Sequence, residues 1–560
     1  MKRPNRNIQR YSPFAWPRLA DRRWPDSAIT TAPRWLTTDL RDGNQALANP
    51  MGPVRKLAMF DMLTSMGYRE IEVGFPAASQ DDYNFVRMLA EECRIPDQVR
   101  ISVLVPAKED LIYRTIESLN GISRATIHLY NATSPQFRSL VLGMTSDECI
   151  ALAVEGTQFV IKYAEMALKR CDLGFEYSPE LFTETEQDFA LEICEAVMDT
   201  WEPDADREII LNFPATVERG LPVAFADQIE WMDRHLSRRE YICLSVHPHN
   251  DRGTGVAAAE LALLAGAQRI EGCLFGNGER AGNVDLITLG LNLYSSGIDP
   301  GINFSDIPAI RKVVEECTEL PVHPRHPYAG DLVHTAFSGS HQDAIKKGFD
   351  SQARQAAAEG ISSRELPWRI PYLPIDPRDI GRNYESIVRI TSQSGKGGVA
   401  YIMDARHGMN LPAGLRVDFA LVVQAAAEHS GELSPAAIER LFVQEYMSAP
   451  APIDRSVNAT LYVQGAALGS DEVRSLGAEL AAWNIDVYMV HRIGLTRREE
   501  VIVYAECMLT GPSVWGVGRS RDVIEASRAA VGSAFPGLNL NFRQSSRSPW
   551  RWRGGAGGTQ

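Results

Sequence analysis

The chain of 560 residues is too long for one compact domain of ordinary size, which runs to about 100–200 residues. Its 44% hydrophobic and 23% charged residues are close to the averages of soluble globular proteins, and they exclude a disordered or fibrous chain. A formal net charge of −14 argues against non-specific nucleic-acid binding and favours a protein that acts on small molecules.

Residues 1–33 are predicted to form an extension that docks on the rest of the protein. The extension is rich in Lys and Arg, as transit peptides are. However, Pro13, Pro17 and Pro25 interrupt it, and aromatic residues recur along it. A targeting role is therefore the less favoured of the two interpretations.

Cysteine usage and hydropathy bear on the compartment. The eight cysteines are scattered and form no C-x-x-C pair, which predicts reduced thiols and a cytoplasmic location. No apolar run approaches the roughly 18 residues that a membrane helix needs. A membrane span is therefore not expected.

Between residues 34 and 300 the chain repeats one pattern, in which a short apolar or β-branched run precedes a polar turn and an amphipathic helical segment. Eight strands are predicted, at 35–39, 70–75, 100–105, 125–130, 173–177, 208–213, 242–247 and 269–275. Eight strands that are each followed by a helix favour an α/β fold of the closed (β/α)8 TIM-barrel type. A doubly wound open sheet is the alternative, but it normally stops at five or six strands.

Chemically useful side chains cluster where the predicted strands end. They are Arg41, Asp42, His128, Glu176, Glu180, Asn212, Thr216, His247, His249, Asn277, Glu279 and Asn283. The active site of a barrel enzyme lies at this end, because the loops that follow the strands converge there. Solvated loops would instead favour Lys, Ser and Glu, so the pattern predicts an active site at the barrel mouth.

A metal site is predicted at the end of the seventh strand. His247 and His249 are two residues apart there, so both imidazoles can face the barrel mouth. A lone His-x-His pair is weak evidence, but Asp42 can add a carboxylate and Asn283 a neutral oxygen. Such a mixed set with open positions suits a divalent ion completed by water or substrate, rather than a closed structural zinc site.

Two neighbouring features have plainer alternatives. Arg41 stands beside Asp42, and its planar guanidinium suits a carboxylate or a developing oxyanion, although a surface ion pair is the simpler interpretation. The glycine-rich segment 276–282 resembles a nucleotide loop only superficially, because it reads G-x-G-x-x-x-G and no second βαβ unit follows. A dinucleotide cofactor is therefore not expected.

Three regions are predicted after the barrel. Residues 301–425 hold Pro-rich joints around short helices such as 333–346, and are interpreted as linker subdomains that cover the active site. Within 430–545, the order strand, helix, strand, strand, helix predicts a small α+β domain with its own core. Residues 546–560, with an Arg/Trp cluster and a Gly-rich run, are predicted to be a disordered tail.

Three segments resemble the signatures of the Claisen-condensing acyltransferases, which include the 2-isopropylmalate, homocitrate and citramalate synthases. These segments are Leu-Arg-Asp-Gly-Asn-Gln at 40–45, His-Pro-His-Asn-Asp-x-Gly at 247–253 and the run at 271–283. The resemblance covers nearly the whole chain and is closest to the long-form members that make 2-isopropylmalate. It implies a TIM barrel followed by a helical linker region and a C-terminal regulatory domain.

The resemblance also implies the site residues. A divalent metal ion (Mg²⁺, or Zn²⁺ or Mn²⁺) is expected to be bound by Asp42, His247, His249 and Asn283. Catalytic roles are expected for Arg41, His341, Glu279 and Tyr372, with His341 as the base. Substrate contacts are expected from Arg41, His128, Ser178, Glu180 and Thr216.

The implied activity is condensation of acetyl-CoA with 3-methyl-2-oxobutanoate and water to 2-isopropylmalate and CoA, the first committed step of leucine biosynthesis. Citramalate or homocitrate synthesis, with another 2-oxo acid, is the alternative that the residues leave open. A lyase is disfavoured because it would not need the long C-terminal extension. A binding protein on an inactive barrel is disfavoured because every motif residue is present.

The resemblance further implies a homodimer with leucine as an effector. Two departures put feedback inhibition in doubt. Residues 496–500 (Thr-Arg-Arg-Glu-Glu) stand where the regulatory domain usually has a turn of small residues, and Ala405-Arg406 precede His407 where relatives tend to have an acid. We therefore expect weak or absent inhibition by leucine.

Overall fold

The structure is a computed structural model, and it describes residues 10, 14, 16, 19–334, 339–382, 396–447, 457–465, 470–482, 485–493, 500–508 and 513–535. The chain divides into two compact units. The first comprises Met1–Val333 and Pro377–Arg382, and the second His334–Asp376 and Asn383–Gln560. The tail predicted to be disordered lies outside the described residues, as does the 496–499 part of the charged segment.

The first unit contains a closed barrel of eight parallel strands, which confirms the predicted fold class. Its strands are β1 (Arg34–Thr37), β2 (Glu70–Gly74), β3 (Arg100–Pro106), β4 (Arg124–Ala132), β5 (Asp172–Glu180), β6 (Ile209–Ala215), β7 (Ile242–Pro248) and β8 (Arg269–Gly272). The ring closes because β1 pairs in parallel with β8 as well as with β2. All seven residues of β6 and of β7 are buried, as expected for strands covered on both faces.

Helices alternate with the strands of the first unit. They are α1 (Asp42–Gln45), α2 (Pro53–Met66), α3 (Gln80–Glu91), α4 (Glu109–Ser118), α5 (Pro135–Phe137), α6 (Ser146–Ala167), α7 (Gln187–Trp201), α8 (Pro222–His235), α9 (Gly255–Leu264), α10 (Leu286–Ser295) and α11 (Ile307–Thr318). Their ends follow local chemistry. Thr145 and Glu148 form a capping box before α6, and Gly67 ends α2 in the left-handed region at φ 101°.

The described part of the N-terminal extension packs on α8. The buried Asp227 carboxylate accepts hydrogen bonds from the Trp16 and Trp24 indoles, at 3.1 and 3.0 Å, and two from the Arg22 guanidinium, both at 2.7 Å. The Glu230 carboxylate accepts from the backbone N–H groups of Arg23 and Trp24. The extension is therefore held by two carboxylates one turn apart on one helix.

Residues 301–333, which the sequence pattern placed in the linker, group with the barrel unit. Arg55 of α2 donates to the carbonyl oxygen of Cys317 in α11 at 3.1 Å, and the Cys317 thiol donates to the carbonyl oxygen of Arg55. His326 also pairs with Asp285 just before α10, at 3.0 Å. The chain thus continues along the barrel surface after the eighth strand.

The second unit carries α12 (Gly339–Glu359), α13 (Lys396–His407), α14 (Ala413–Ser430), α15 (Pro435–Tyr446), β9 (Val457–Gln464), α16 (Ser470–Ala481), β10 (Ile485–Arg492), β11 (Val501–Met508), β12 (Val514–Ser520) and α17 (Val523–Ser533). The helix predicted at 333–346 thus extends to Glu359. The four strands form one sheet in the order β10-β9-β11-β12.

Close packing of α17 against β12 explains two glycines of the sheet. A Cβ atom on Gly516 would lie 2.1 Å from the carbonyl oxygen of Ala530, and one on Gly518 would lie 2.0 Å from that of Ala526. Only glycine therefore fits at these two positions. The sheet has apolar clusters on both sides, one shared with α13, α14 and α15 and one with α16 and α17.

The cysteines and the helices relate to the predicted location of the protein. All eight cysteines are free thiols, as the absence of C-x-x-C pairs predicted. No helix among the described residues combines the length and the hydropathy of a membrane span.

Candidate active site

The first unit has an open cleft at the carboxyl ends of its strands, with about 750 Å³ of empty space. Ten of the residues predicted from the sequence line it: Arg41, Asp42, His128, Ser178, Glu180, Asn212, Thr216, His247, His249 and Glu279. Asn283 lies against the same cluster, because its side-chain Nδ2 is 3.1 Å from Nε2 of His247. The barrel therefore brings together residues that are up to 242 positions apart in sequence.

The two imidazoles converge on one carboxylate oxygen. Oδ2 of Asp42 lies 3.6 Å from Nε2 of His247 and 3.8 Å from Nε2 of His249. One ligand-type atom from each residue lies within 4.8 Å of the others, and all three side chains are buried. This is the spacing of a set that can close around one ion.

Asp42 uses its two oxygens differently. Oδ1 accepts hydrogen bonds from the Arg41 guanidinium and from the Gln45 amide, both at 3.0 Å. Oδ2 is buried and has no hydrogen-bond partner among the described residues. Burial opposes ionisation of this carboxyl, but Arg41 and His247 outweigh it and hold its pKa well below the ordinary value. Asp42 is therefore an anion with one free oxygen.

A second carboxylate orients His247. Its Nδ1 lies 3.0 Å from Oε2 of the buried Glu271, so Nδ1 carries the proton and Nε2 faces Asp42. Burial lowers the pKa of His247, yet the neighbouring carboxylates of Asp42 and Glu271 raise it to about 9. This carboxylate–histidine arrangement is the usual support of a metal-binding imidazole.

His249 and Asn283 complete the cluster. Burial, and then the neighbouring His247, lower the pKa of His249 to about 3, so this imidazole is neutral. Its Nδ1 and the Oδ1 of Asn283 are both buried without hydrogen-bond partners in the described part of the chain. A half-turn of the Asn283 amide would bring Oδ1 toward Nε2 of His247, because the two ends of the amide have the same shape.

This donor set fits a divalent cation. It combines a carboxylate oxygen, two imidazole nitrogens and an amide oxygen, and its unpartnered buried atoms are costly without a ligand. Among the described residues the set contains no cysteine, and a carboxylate with two imidazoles leaves positions open for water or substrate.

Arg41 is fixed between two carboxylates. Its Nε donates to Oε2 of Glu72 at 2.5 Å, while another N–H donates to Oδ1 of Asp42. Burial lowers the pKa of the guanidinium, but these anions raise it further above its ordinary value. Arg41 thus presents a permanent positive charge in a fixed orientation beside the cluster, and it is not a surface ion pair.

Beneath the cleft lies a buried polar network that the sequence patterns did not reveal. Nδ1 of His128 lies 2.7 Å from Glu72, and its Nε2 lies 2.7 Å from Oγ of Ser178. Arg269 is fully buried and contacts both Glu176 and Glu271. The available signal was a carboxylate flanked by apolar residues within β2, β5 and β8, namely Glu72, Glu176 and Glu271.

Three carboxyl groups contact Arg269, those of Glu70, Glu176 and Glu271, and the pKa values of the last two shift in opposite directions. Burial raises the pKa of Glu176 well above the ordinary value. Burial acts on Glu271 in the same direction, but Arg269 and His247 hold its pKa well below the ordinary value. Of the two carboxyl groups, Glu271 is thus the one that Arg269 and His247 stabilise as an anion.

The rest of the cleft combines one polar and one apolar wall. Oγ1 of Thr216 accepts from the backbone N–H of Leu181 at 2.9 Å, so its own proton points elsewhere and can be donated. Burial raises the pKa of Glu180. Phe75, Leu104, Tyr130 and Pro214 supply the apolar surface.

His341 and Tyr372 belong to the second unit. Their rings stack with centroids 4.0 Å apart and planes 24° apart. Tyr372 is 62% exposed and adopts a positive φ of 64°, which is unusual for an aromatic residue. The two side chains thus form one aromatic pair, and their role in catalysis stays a prediction.

Comparisons with known proteins agree with these features. The model of the HMGL-like family matches residues 32–314, and the model described as "Alpha-isopropylmalate synthase, post-catalytic domain-like" matches residues 331–404. The chain is 60% identical to the 2-isopropylmalate synthase of Streptosporangium roseum, over 95% of each chain. It is 54% identical to that of Thermobifida fusca, over 94% of this chain and 97% of the other.

Among solved structures, the HMG-CoA lyase of Brucella melitensis is 17% identical, with a TM-score of 0.41 over 52% of this chain and 97% of the other.

Proposed function

The chain belongs to the 2-isopropylmalate synthase family, and from this premise we propose how its residues carry out the reaction. It is an acyltransferase that condenses acetyl-CoA with 3-methyl-2-oxobutanoate and water to give 2-isopropylmalate and CoA, in leucine biosynthesis. The observation that carries the assignment is 60% identity over 95% of both chains to a synthase of this name.

We propose that Asp42, His247 and His249 bind a divalent ion, with Asn283 as a further ligand. The unpartnered Oδ2 of Asp42 and the Glu271-oriented Nε2 of His247 support this proposal. A divalent ion bound there would polarise the ketone of the 2-oxo acid as a Lewis acid. The ligand chemistry suits Mg²⁺, Mn²⁺ or Zn²⁺.

Arg41 is proposed to stabilise the charge that develops on the ketone oxygen. As the new carbon–carbon bond forms, that oxygen becomes an alkoxide and needs a positive neighbour. Glu72 and Asp42 already hold the guanidinium in place, so no reorganisation is needed in the transition state. Arg41 is always protonated, which makes it an electrostatic group and not a proton donor.

His341 is proposed as the base that removes a proton from the acetyl methyl group, with Tyr372 and Glu279 assisting. The electron pair left on that carbon then attacks the ketone carbon of the second substrate. The alkoxide takes up a proton, and water cleaves the thioester to release CoA. The stacked Tyr372 ring supports this role because it limits the orientations open to the imidazole.

The acceptor is proposed to lie with its isopropyl group against Phe75, Leu104 and Tyr130. His128, Ser178 and Thr216 line the polar side of the cleft, and we propose that they contact the 2-oxo acid. An apolar wall suits a branched aliphatic chain, whereas the second carboxylate of 2-oxoglutarate would need a cation of its own. Homocitrate synthesis is therefore disfavoured.

A substrate panel tests the assignment. Thiol release from acetyl-CoA would be measured with 3-methyl-2-oxobutanoate, pyruvate and 2-oxoglutarate, and the organic product identified by mass. We expect kcat/KM to be highest for 3-methyl-2-oxobutanoate, and about 10- to 200-fold lower for pyruvate, which lacks two methyl groups. Equal or better use of pyruvate or 2-oxoglutarate would favour citramalate or homocitrate synthesis instead.

We further propose that the protein acts in the cytoplasm as a homodimer. Free thiols throughout the chain support an environment that keeps cysteines reduced. Size-exclusion chromatography with light scattering tests the dimer.

A further inference from the structure

Two loops beside the metal ligands are cross-linked by one carboxylate, that of Glu218 in the β6–α8 loop. Glu218 is only 8% exposed, and Oε2 accepts from the backbone N–H of Arg252 at 2.5 Å. Its Oε1 accepts from the hydroxyl of Thr254. Both partners lie in the β7–α9 loop, which follows His249 directly.

The same loops are tied a second time. The backbone N–H of Glu218 donates to Oδ2 of Asp251 at 2.9 Å. Arg280, from the loop after β8, donates to Oδ1 of Asp251 at 2.7 Å and to the carbonyl oxygen of Thr216. We call Glu218, Asp251 and Arg280 the loop triad.

His249 depends on its backbone for orientation. Glu271 holds the ring of His247 through Nδ1, but Nδ1 of His249 is buried without a partner among the described residues. The backbone N–H of His249 donates to the carbonyl oxygen of Ala215 at 3.3 Å, which is long for such a bond. The neighbours of His249 also pair with the 282–284 segment, through the N–H of Asn250 to the carbonyl oxygen of Gly282 at 2.9 Å and the N–H of Val284 to that of Pro248 at 2.7 Å. The loop triad holds the residues that follow, and it is therefore a further constraint on the position of the imidazole.

We propose that Glu218 is a positioning residue, which holds the 249–254 segment so that Nε2 of His249 faces Asp42. Glu218 does not line the cleft and touches no substrate. Many metal-binding imidazoles are oriented by a carboxylate that accepts a hydrogen bond from the second ring nitrogen. Glu218 would orient His249 indirectly instead, by holding the backbone that follows it. The inference rests on the metal site proposed above.

A purely structural role is the alternative. Glu218 accepts from residues just before α9, so it also places a negative charge at the amino end of that helix. Loss of this interaction alone would lower stability without changing the affinity of the folded protein for metal. Metal affinity and stability must therefore be measured separately.

The test compares Glu218→Ala with Glu218→Gln. The Gln amide can still accept from Arg252 through Oε1 and donate to the Thr254 hydroxyl through its NH₂ group, so it should retain the cross-link. Mn²⁺ binding to the chelator-treated full-length protein would be measured by calorimetry, and unfolding by circular dichroism. We expect Glu218→Ala to weaken Mn²⁺ binding about 10- to 100-fold, as outer partners of metal ligands do, and Glu218→Gln to bind as the unaltered protein does.

Two further variants separate the possible causes. Glu230→Ala removes a buried carboxylate of α8 that holds the N-terminal extension, and it should lower stability without changing Mn²⁺ affinity. Thr254→Val removes one contact of Glu218 and should weaken Mn²⁺ binding in the same direction, even if Glu218→Ala does not fold.

Unchanged Mn²⁺ affinity in folded Glu218→Ala, or in Thr254→Val if the former is unfolded, would overturn the inference. If the unaltered protein binds no more Mn²⁺ than His247→Ala does, the proposed metal site itself is wrong, and the inference falls with it.

Discussion

Asp42 shows how one residue can serve two purposes at once. The oxygen that faces Arg41 and Gln45 fixes the side chain, and the other oxygen is left free between two imidazoles. Substitution by Asn would keep the shape but remove the charge that raises the pKa of His247. At the scale of single residues, the site is therefore defined by which atoms have partners and which have none.

Removal of one imidazole tests the metal site. We expect chelator treatment to abolish turnover, and His247→Ala to lose bound metal, because Nε2 of His247 is the donor that Glu271 orients. Metal content would be measured by atomic emission and turnover by thiol release. His235→Ala is the matched control, since this exposed histidine of α8 contacts Trp231 of its own helix, through a hydrogen bond to its carbonyl oxygen and by ring stacking. Full activity of thoroughly demetallated protein would disprove the metal role.

The base is tested by His341→Ala. We expect kcat to fall about 10²- to 10⁴-fold, the usual loss when a general base is removed, with normal metal content. His429→Ala, which alters an exposed histidine of α14 in the same unit, should leave kcat unchanged. An unaltered kcat in His341→Ala would show that another group removes the proton.

At the scale of elements, most strand boundaries of the barrel could be predicted from the sequence. The errors at the ends of β4 and β5 have one cause. Strands β4 and β5 were expected to end at residues 130 and 177, but their pairing continues to Ala132 and Glu180. The sequence pattern predicted the end of each strand at the first polar residue. In a barrel whose active site lies at the strand ends, however, the strands continue through the polar residues of that site. Strand β8 was expected to reach residue 275 but ends at Gly272, and Leu274–Gly276 form a short turn in which Phe275 adopts a φ of 56°.

The active site could likewise be predicted only in part. Its ligands could be predicted because they follow strands in recognisable motifs. Glu271 and Arg269 could not be assigned in advance, because their partners lie on other strands and meet only when the ring is closed. Spacing along one strand carries no information about a partner 93 residues away, as Glu176 is from Arg269.

The contact between the N-terminal extension and α8 has a testable anchor. Asp227→Ala would remove four hydrogen bonds to Trp16, Arg22 and Trp24 and leave those donors without a carboxylate. We expect a loss of about 1–3 kcal/mol in the free energy of unfolding and faster proteolysis before residue 27. Urea unfolding and limited trypsin digestion measure the two effects.

Asp61→Ala, at an exposed aspartate of α2, serves as the control for that experiment and should change neither quantity. If Asp227→Ala is digested at the same rate as the unaltered protein, the extension is held by other contacts.

At the scale of the whole molecule, the chain joins a catalytic barrel to a second unit with its own apolar cores. A regulatory ligand can act across such a chain only if it binds two catalytic states with different affinity, typically by about 1–3 kcal/mol. Residues 497–500 are Arg-Arg-Glu-Glu, and the family resemblance predicts small residues there, which would let backbone amides approach an amino acid. Of these, Glu500 forms an ion pair with Arg519 of β12 at 3.2 Å.

We therefore predict that leucine inhibits weakly or not at all. Initial rates of the full-length protein would be titrated with leucine beside calorimetric measurement of leucine binding, with isoleucine as the control ligand. Strong inhibition at micromolar leucine would show that the charged segment lies outside the effector pocket.

Closure of the ring by β1 and β8 also has a consequence for synthesis of the chain. The first strand cannot meet its last neighbour until residue 272 has been made, 235 residues after Thr37. At about 5–20 residues per second, translation of that stretch takes roughly ten to fifty seconds. Throughout that interval the nascent sheet has two unpaired edges at the ribosome, and the N-terminal extension must wait almost as long for Asp227. The first residues to emerge are thus among the last to find their place.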